Sequence, residues 1–125
     1  MIDFLQPYFE HSDDRGSLRG LANSGEWREV NMIFSDQGSE RGNHYHKHTH
    51  EMFIIITGRV KVVFQEVVDD MLVGEAVERH VTGGDVFVIP PGTNHVFFCE
   101  EDSQWINLLS VPMDQDDPDL HRPVA

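Results

Sequence analysis

Residues 42–51 read Gly42-Asn43-His44-Tyr45-His46-Lys47-His48-Thr49-His50-Glu51, and four of the chain's 8 histidines fall inside them. In an extended strand, residues two apart point to the same side, so His44 and His46 aim their imidazoles into one space. Neutral imidazole nitrogens suit divalent metals such as Zn, Fe, Ni and Mn, and a carboxylate completes such a shell while lowering its net charge. Glu51 offers that carboxylate at the head of the apolar run Met52–Ile56, where a chain reversal can bring it beside the two rings. A fourth group has to come from elsewhere. His95 stands just after the turn Pro90-Pro91-Gly92-Thr93, at the head of Val96-Phe97-Phe98. The competing reading is a set of surface histidines, or a string that mimics an engineered tag. A tag is terminal and homopolymeric, whereas this string is internal, interrupted and followed by an apolar strand. That favours a metal site.

Outward from this stretch, short strand-like runs alternate with turn signals, and no segment carries a helical stripe of useful length. Val30, Met32 and Phe34 alternate with polar neighbours, Met52–Thr57 is closed by Gly58, and Val60, Val62 and Phe64 share a face. Later runs stop at Gly83-Gly84 and at Pro90-Pro91-Gly92, and two more follow around Val96 and Trp105. Short, evenly spaced strands indicate an all-β sandwich or barrel. A length of 125 residues fits one domain,. We expect that domain to cover 1–113. The tail 114–125, acidic and punctuated by proline, is expected to lie loosely on the surface.

Nine basic against 22 acidic residues give a net charge of -13. Such a surface repels phosphate backbones, so no nucleic-acid partner is expected. The same field opposes a nucleotide-linked ligand unless local arginine overrides it. No apolar run approaches the roughly 20 residues of a membrane span, and Met1–Asp14 is acidic where a signal peptide is basic,. The expected location is cytoplasmic, with no membrane contact. Cys99 is the only cysteine, which rules out an intrachain disulfide and a cysteine-cluster zinc site. We read it as a small buried hydrophobe rather than a nucleophile.

Two stretches also match a known pattern. Gly38, His44, His46, Glu51 and Gly58 fall at the spacing of the first cupin motif, and Gly84, Pro90, Gly92 and His95 at that of the second. Cys99 stands where the second motif usually has asparagine. The resemblance implies a single-domain double-stranded β-helix, the cupin jelly roll. It also implies one divalent transition metal held by His44, His46, Glu51 and His95.

Asp14-Arg15-Gly16 and Arg41-Gly42-Asn43-His44-Tyr45 further resemble the dTDP-4-dehydrorhamnose 3,5-epimerase family and its ketoisomerase relatives. Those epimerases work without metal and carry lysine at the position of Glu51. Gly42-Asn43-His44, His46 and Glu51, with the acidic tail, are closer to the cupin domain that ends the capsular-polysaccharide reductase/epimerases. The resemblance implies a metal-dependent isomerase or epimerase acting on a keto sugar, which a nucleotide could carry. His48, His50 and Tyr45 are then candidates for the acid or base, and Arg41 and Lys47 for substrate phosphate; Arg15 could instead be structural. The bland alternative puts His48 and His50 in a solvated turn and Arg41 and Lys47 among surface charges. Two other functions stay open: an Fe(II)-dependent dioxygenase of a small molecule, and a non-catalytic small-ligand-binding cupin. A homodimer is expected, with Ile2–Phe9 as the exchanged or pairing segment because it has no evident role in the barrel.

Overall fold

The computed structural model describes residues 1–124, and those residues contain eleven strands and no helix. In chain order these are β1 (Asp3–Leu5), β2 (Phe9–Asp13), β3 (Gly16–Gly20), β4 (Glu29–Ser35), β5 (Glu40–His44) and β6 (Glu51–Thr57). They continue with β7 (Arg59–Val68), β8 (Met71–Thr82), β9 (Val86–Ile89), β10 (Thr93–Cys99) and β11 (Ser103–Leu109). One sheet runs β1-β9-β6-β11-β4 and the other β5-β10-β7-β8, while β2 and β3 form a hairpin of their own. Every named strand pairing is antiparallel. The two large sheets face each other as a jelly roll, so the expected fold class holds.

The core lies between them. β7 buries Val60, Val62 and Phe64; β6 contributes Phe53 and Ile55, β9 Phe87 and Ile89, β10 Phe97 and Cys99, and β11 Trp105. This follows from period-two alternation, which sends every second residue inward. Each such large apolar side chain stabilises the fold by about 1.5–3 kcal/mol relative to exposure. Trp105 keeps its indole N–H satisfied by donating to Ser103 Oγ at 2.8 Å. Cys99 is buried, as expected for a small hydrophobe.

Two expectations need correction, and one strand turns its apolar face against the usual rule. The alternation Val30, Met32, Phe34 does form a strand, yet its apolar face points outward, with the three residues 66%, 58% and 65% exposed. The inward positions of β4 are Glu29, Asn31, Ile33 and Ser35, and the first two line a cavity that needs polar groups. The segment Ile2–Phe9 has a role in the barrel after all. β1 pairs with β9, and Ile2 and Phe4 pack against the core.

The tail is not loose over its last residues. Tyr45 and His121 exchange backbone hydrogen bonds of 2.9 and 3.0 Å, and Val124 N–H donates to Asp70 O at 2.8 Å. Composition suggested solvation; unpaired backbone and side-chain acceptors found partners instead. Ala125, the last residue of the expected tail, lies outside the described residues. No helix of the described chain is long and apolar enough to cross a membrane.

Candidate metal centre

Strand ends bring the four candidate ligands together. His44 closes β5, Glu51 opens β6, and His95 lies on β10, where it pairs in register with His44. The pairing is irregular between His95 and Val96, and the sequence permits it through Gly42-Asn43. Both residues adopt left-handed backbone, with φ 88° and 63°, a conformation glycine and asparagine tolerate best. A Cβ at Gly42 would sit 2.8 Å from the His95 carbonyl oxygen. Only glycine lets β5 approach β10 this closely. His46 lies just past β5, in the turn before β6, with its carbonyl accepting from Gly92 N–H at 2.8 Å.

One donor atom from each of His44, His46, Glu51 and His95 falls within 4.8 Å of the others. The ring centroids of His44 stand 5.1 Å from His46 and 4.8 Å from His95. His46, Glu51 and His95 are buried and His44 is half-buried.

The outward-facing atoms are tied. His95 Nδ1 lies 3.0 Å from Thr93 O, and His46 Nδ1 bonds the carbonyl of Asp119. A carbonyl only accepts, so each Nδ1 carries a proton and each Nε2 turns inward, the atom that a neutral ring offers as a lone pair,. Asn107 Nδ2 donates to Glu51 Oε2 at 3.0 Å. The inward atoms His46 Nε2, His95 Nε2 and Glu51 Oε1 are buried and lack a conventional hydrogen-bond partner, although His46 Nε2 and Glu51 Oε1 touch. Buried polar atoms seldom go unsatisfied without a reason. Three imidazoles and one carboxylate converging on a shared point fit a divalent transition metal.

Burial pushes the His44 imidazole down to about 4, helped by His95 and His46, and burial likewise lowers His95. Both rings therefore stay neutral, as ligands must. Burial also works against charging the coupled pair, but contact with Glu51 raises His46 and contact with His46 lowers Glu51. In metal-free protein the unfolded chain protonates His44 and His95 as pH falls through 6.5, whereas folded His44 resists until about 4. Folding stability is thus lost across that window. The raised His46 acts in the opposite sense, so thermal melts of chelator-treated protein should show Tm falling as pH is lowered from 6.5 to about 4,. A flat Tm would contradict the neutral-ring assignment.

Beside the cluster opens a cavity of about 560 Å³, shared by His44, His46 and Glu51 and by Glu29, Asn31 and Asn107. A hydrogen-bonded chain runs along its wall. Glu51 Oε2 accepts from Asn107, Asn107 Oδ1 accepts from Asn31 at 3.3 Å, and the same Asn31 amide donates to Glu29 Oε2 at 2.9 Å. Hydrogen bonds from Asn31 and from Met113 N–H hold the Glu29 carboxyl below its ordinary value.

The other sequence candidates do not line this cavity. His48 and His50 are exposed in the turn. Tyr45 points to the other side and donates to Asp70, a bond that raises its phenol to about 12. Lys47 pairs with Asp70 at 3.3 Å. Arg41 donates to Ser35 Oγ at 2.7 Å and to Phe34 O at 2.9 Å, and Arg15 is held by Asp13 at the hairpin turn. Sequence reasoning missed Glu29, Asn31, Asn107 and Asp119. The polar residues interrupting β4 and β11 were the available signal, since inward polar positions on a barrel strand mark a site.

A jelly roll with three histidines and a glutamate converging between its sheets defines an RmlC-like cupin. The polysaccharide biosynthesis C-terminal domain family matches residues 11–119, and the chain belongs to that family. No curated protein matches its sequence. Among solved structures it is similar to the capsular polysaccharide assembling protein CapF from Staphylococcus aureus, with 26% identity and a TM-score of 0.69. The match covers 94% of this chain and 34% of CapF, so the chain spans a minor part of that protein. The dTDP-4-dehydrorhamnose 3,5-epimerase from Sulfolobus tokodaii shares the fold at 22% identity and TM-score 0.73, covering 92% of this chain and 78% of that one. The sugar 3,4-ketoisomerase QdtA from Thermoanaerobacterium thermosaccharolyticum, in complex with TDP, does so at 21% identity and TM-score 0.74, covering 97% and 87%.

Proposed function

We propose that this chain is a metal-dependent isomerase or epimerase of a keto sugar, with the ion held by His44, His46, Glu51 and His95. The observation that carries the reading is one cavity lined by three of the four ligands, His44, His46 and Glu51, and by a further fixed carboxylate, Glu29. A divalent ion bound there would supply Lewis-acid polarisation of the substrate carbonyl. The hydrogen on the neighbouring carbon becomes acidic when that carbonyl is polarised. Glu29, held below its ordinary pKa and fixed by Asn31, takes that proton as general base while the electron pair moves onto the carbonyl oxygen as an enolate,. In epimerisation water on the opposite face returns a proton to the same carbon, and in isomerisation the proton returns to a neighbouring atom.

The similarity to a capsular polysaccharide assembling protein and to two sugar isomerases supports a carbohydrate substrate. The cavity wall has no lysine or arginine among the described residues. It therefore suits the sugar ring, and any nucleotide diphosphate lies outside it. The test is wash-in of solvent deuterium at the carbon beside the carbonyl of a 4-keto sugar, followed by NMR. Exchange that requires the ion and ignores removal of dioxygen supports the proposal. Consumption of dioxygen with Fe(II) would replace it by the oxygenase reading.

We also propose a homodimer, formed through the outward face of β4. Val30, Met32 and Phe34 lie on an edge strand, which offers both an apolar patch and an unpaired ladder to a second copy,. Each copy carries -13, so screening should strengthen association. Light scattering should give twice the chain mass, more completely as salt rises, and Phe34→Glu should leave monomer. A wild-type monomer at every salt concentration rejects the dimer.

A further inference from the structure

The turn that carries His46 has few hydrogen bonds of its own and borrows them from the C-terminal segment. Lys47 N–H donates to Asp119 Oδ1 at 2.9 Å. His48 N–H, Thr49 N–H and the Thr49 hydroxyl donate to Asp119 Oδ2 at 2.7, 2.9 and 3.0 Å. One carboxylate thus accepts four bonds from three consecutive residues, the arrangement by which an acidic side chain caps exposed amides. The same residue's carbonyl accepts from His46 Nδ1. His121, two residues on, pairs with Tyr45 backbone to backbone and fixes the register of the segment.

We infer that Asp119 is a positioning residue for the metal centre: its carboxylate clamps the turn 47–49, which holds its carbonyl where it fixes the tautomer of His46. This rests on the metal reading above and extends it to a residue 73 positions away in sequence. The geometry explains why both groups of one residue are needed. The carbonyl alone would be free to swing away with the tail. The carboxylate alone would shape the turn and leave the imidazole free to place its proton on Nε2, the atom that must donate its lone pair inward. Any residue supplies a carbonyl, but only a side chain with two acceptor oxygens satisfies four donors at this spacing. Asparagine keeps one acceptor and turns a donor toward the remaining N–H groups.

The test compares wild type with Asp119→Ala and Asp119→Asn, the near-isosteric Asn variant guarding against loss of fold in the Ala one. In metal-free protein at alkaline pH, long-range nitrogen–proton NMR of the His46 ring reads the tautomer directly. Wild type should show the Nδ1–H form, and both variants a shift toward Nε2–H. Co(II) titration should then give one ion per wild-type chain, with affinity falling about 10–100-fold in the variants and an altered ligand-field spectrum. Asp119→Asn should fall between wild type and Asp119→Ala. An unchanged His46 tautomer with unchanged Co(II) affinity and spectrum overturns the inference and leaves the metal reading intact. A wild-type chain that takes up no Co(II) overturns the metal reading, and the positioning role with it, whatever the tautomer shows.

Discussion

His95→Ala is expected to abolish stoichiometric metal uptake while the barrel still folds. His95 is fully buried, its Nδ1 is spent on Thr93, and its Nε2 faces only the cluster. Removing it deletes one of four donors and leaves a hole where the ring stood. Losing an outer partner of a ligand commonly costs about 10–100-fold in metal affinity, and losing a ligand itself should exceed that. The opposing effect is on folding. Deleting the ring removes a buried, partly unsatisfied polar group, so the cost of the cavity is offset in metal-free protein. The variant should therefore melt close to metal-free wild type and gain little from added metal, whereas wild type gains stability by mass action. His46→Ala should behave alike. His48→Ala is the control, because its ring is exposed and only its backbone N–H serves the turn. Elemental analysis of untagged protein, with a chelator-competition titration, measures all three. One tightly bound ion in His95→Ala would remove the basis for the centre.

The cluster of His44, His46, Glu51 and His95 was legible in sequence because a candidate metal site uses few residue types at strict spacing, and strand periodicity converts spacing into direction,. The alternation carries one residue pair past the end of β5, so that His46 in the turn faces His44, and the Gly92 turn delivers His95 beside them. The all-β class followed from short runs and their turns,. What sequence did not reveal depends on long-range register. Glu29 reaches the cavity only because β4 pairs with β11, setting Asn31 opposite Asn107. The alternation of Val30, Met32 and Phe34 was visible, but alternation alone does not say which face is inside. On β4 the polar face turns in, against the usual rule, because it lines a site rather than the core. The same limit explains His48 and His50. Their density in sequence suggested function, yet the turn points their rings to solvent. Asp119 was hidden by composition, since an acidic, proline-containing tail reads as solvated until its acceptors are seen to meet the amides of Lys47, His48 and Thr49.

Glu29→Gln is expected to slow deuterium exchange beside the sugar carbonyl by about 10²–10⁴-fold, the usual contribution of a placed general base, with metal binding unchanged. Glutamine keeps the volume and one acceptor oxygen, so Met113 N–H can remain bonded, but it cannot take a proton. The depressed pKa of Glu29 cuts both ways. It makes the carboxylate a weak base, so exchange depends on the carbonyl being polarised strongly enough to acidify its neighbour. It also keeps the group ionised at any pH above the ordinary carboxyl range, so activity should fail only in acid. That acid limb separates Glu29 from histidine candidates, whose titration would place the limb nearer neutrality. The ligand set does not include Glu29, and its link to Glu51 passes through two asparagines. A Co(II) spectrum unchanged in Glu29→Gln would show that lost exchange comes from the lost base. His50→Ala, altering a ring outside the cavity wall, should exchange at the wild-type rate. If Glu29→Gln exchanges as fast as wild type while His48→Ala or His50→Ala does not, the base lies in the turn and the cavity wall merely shapes the substrate.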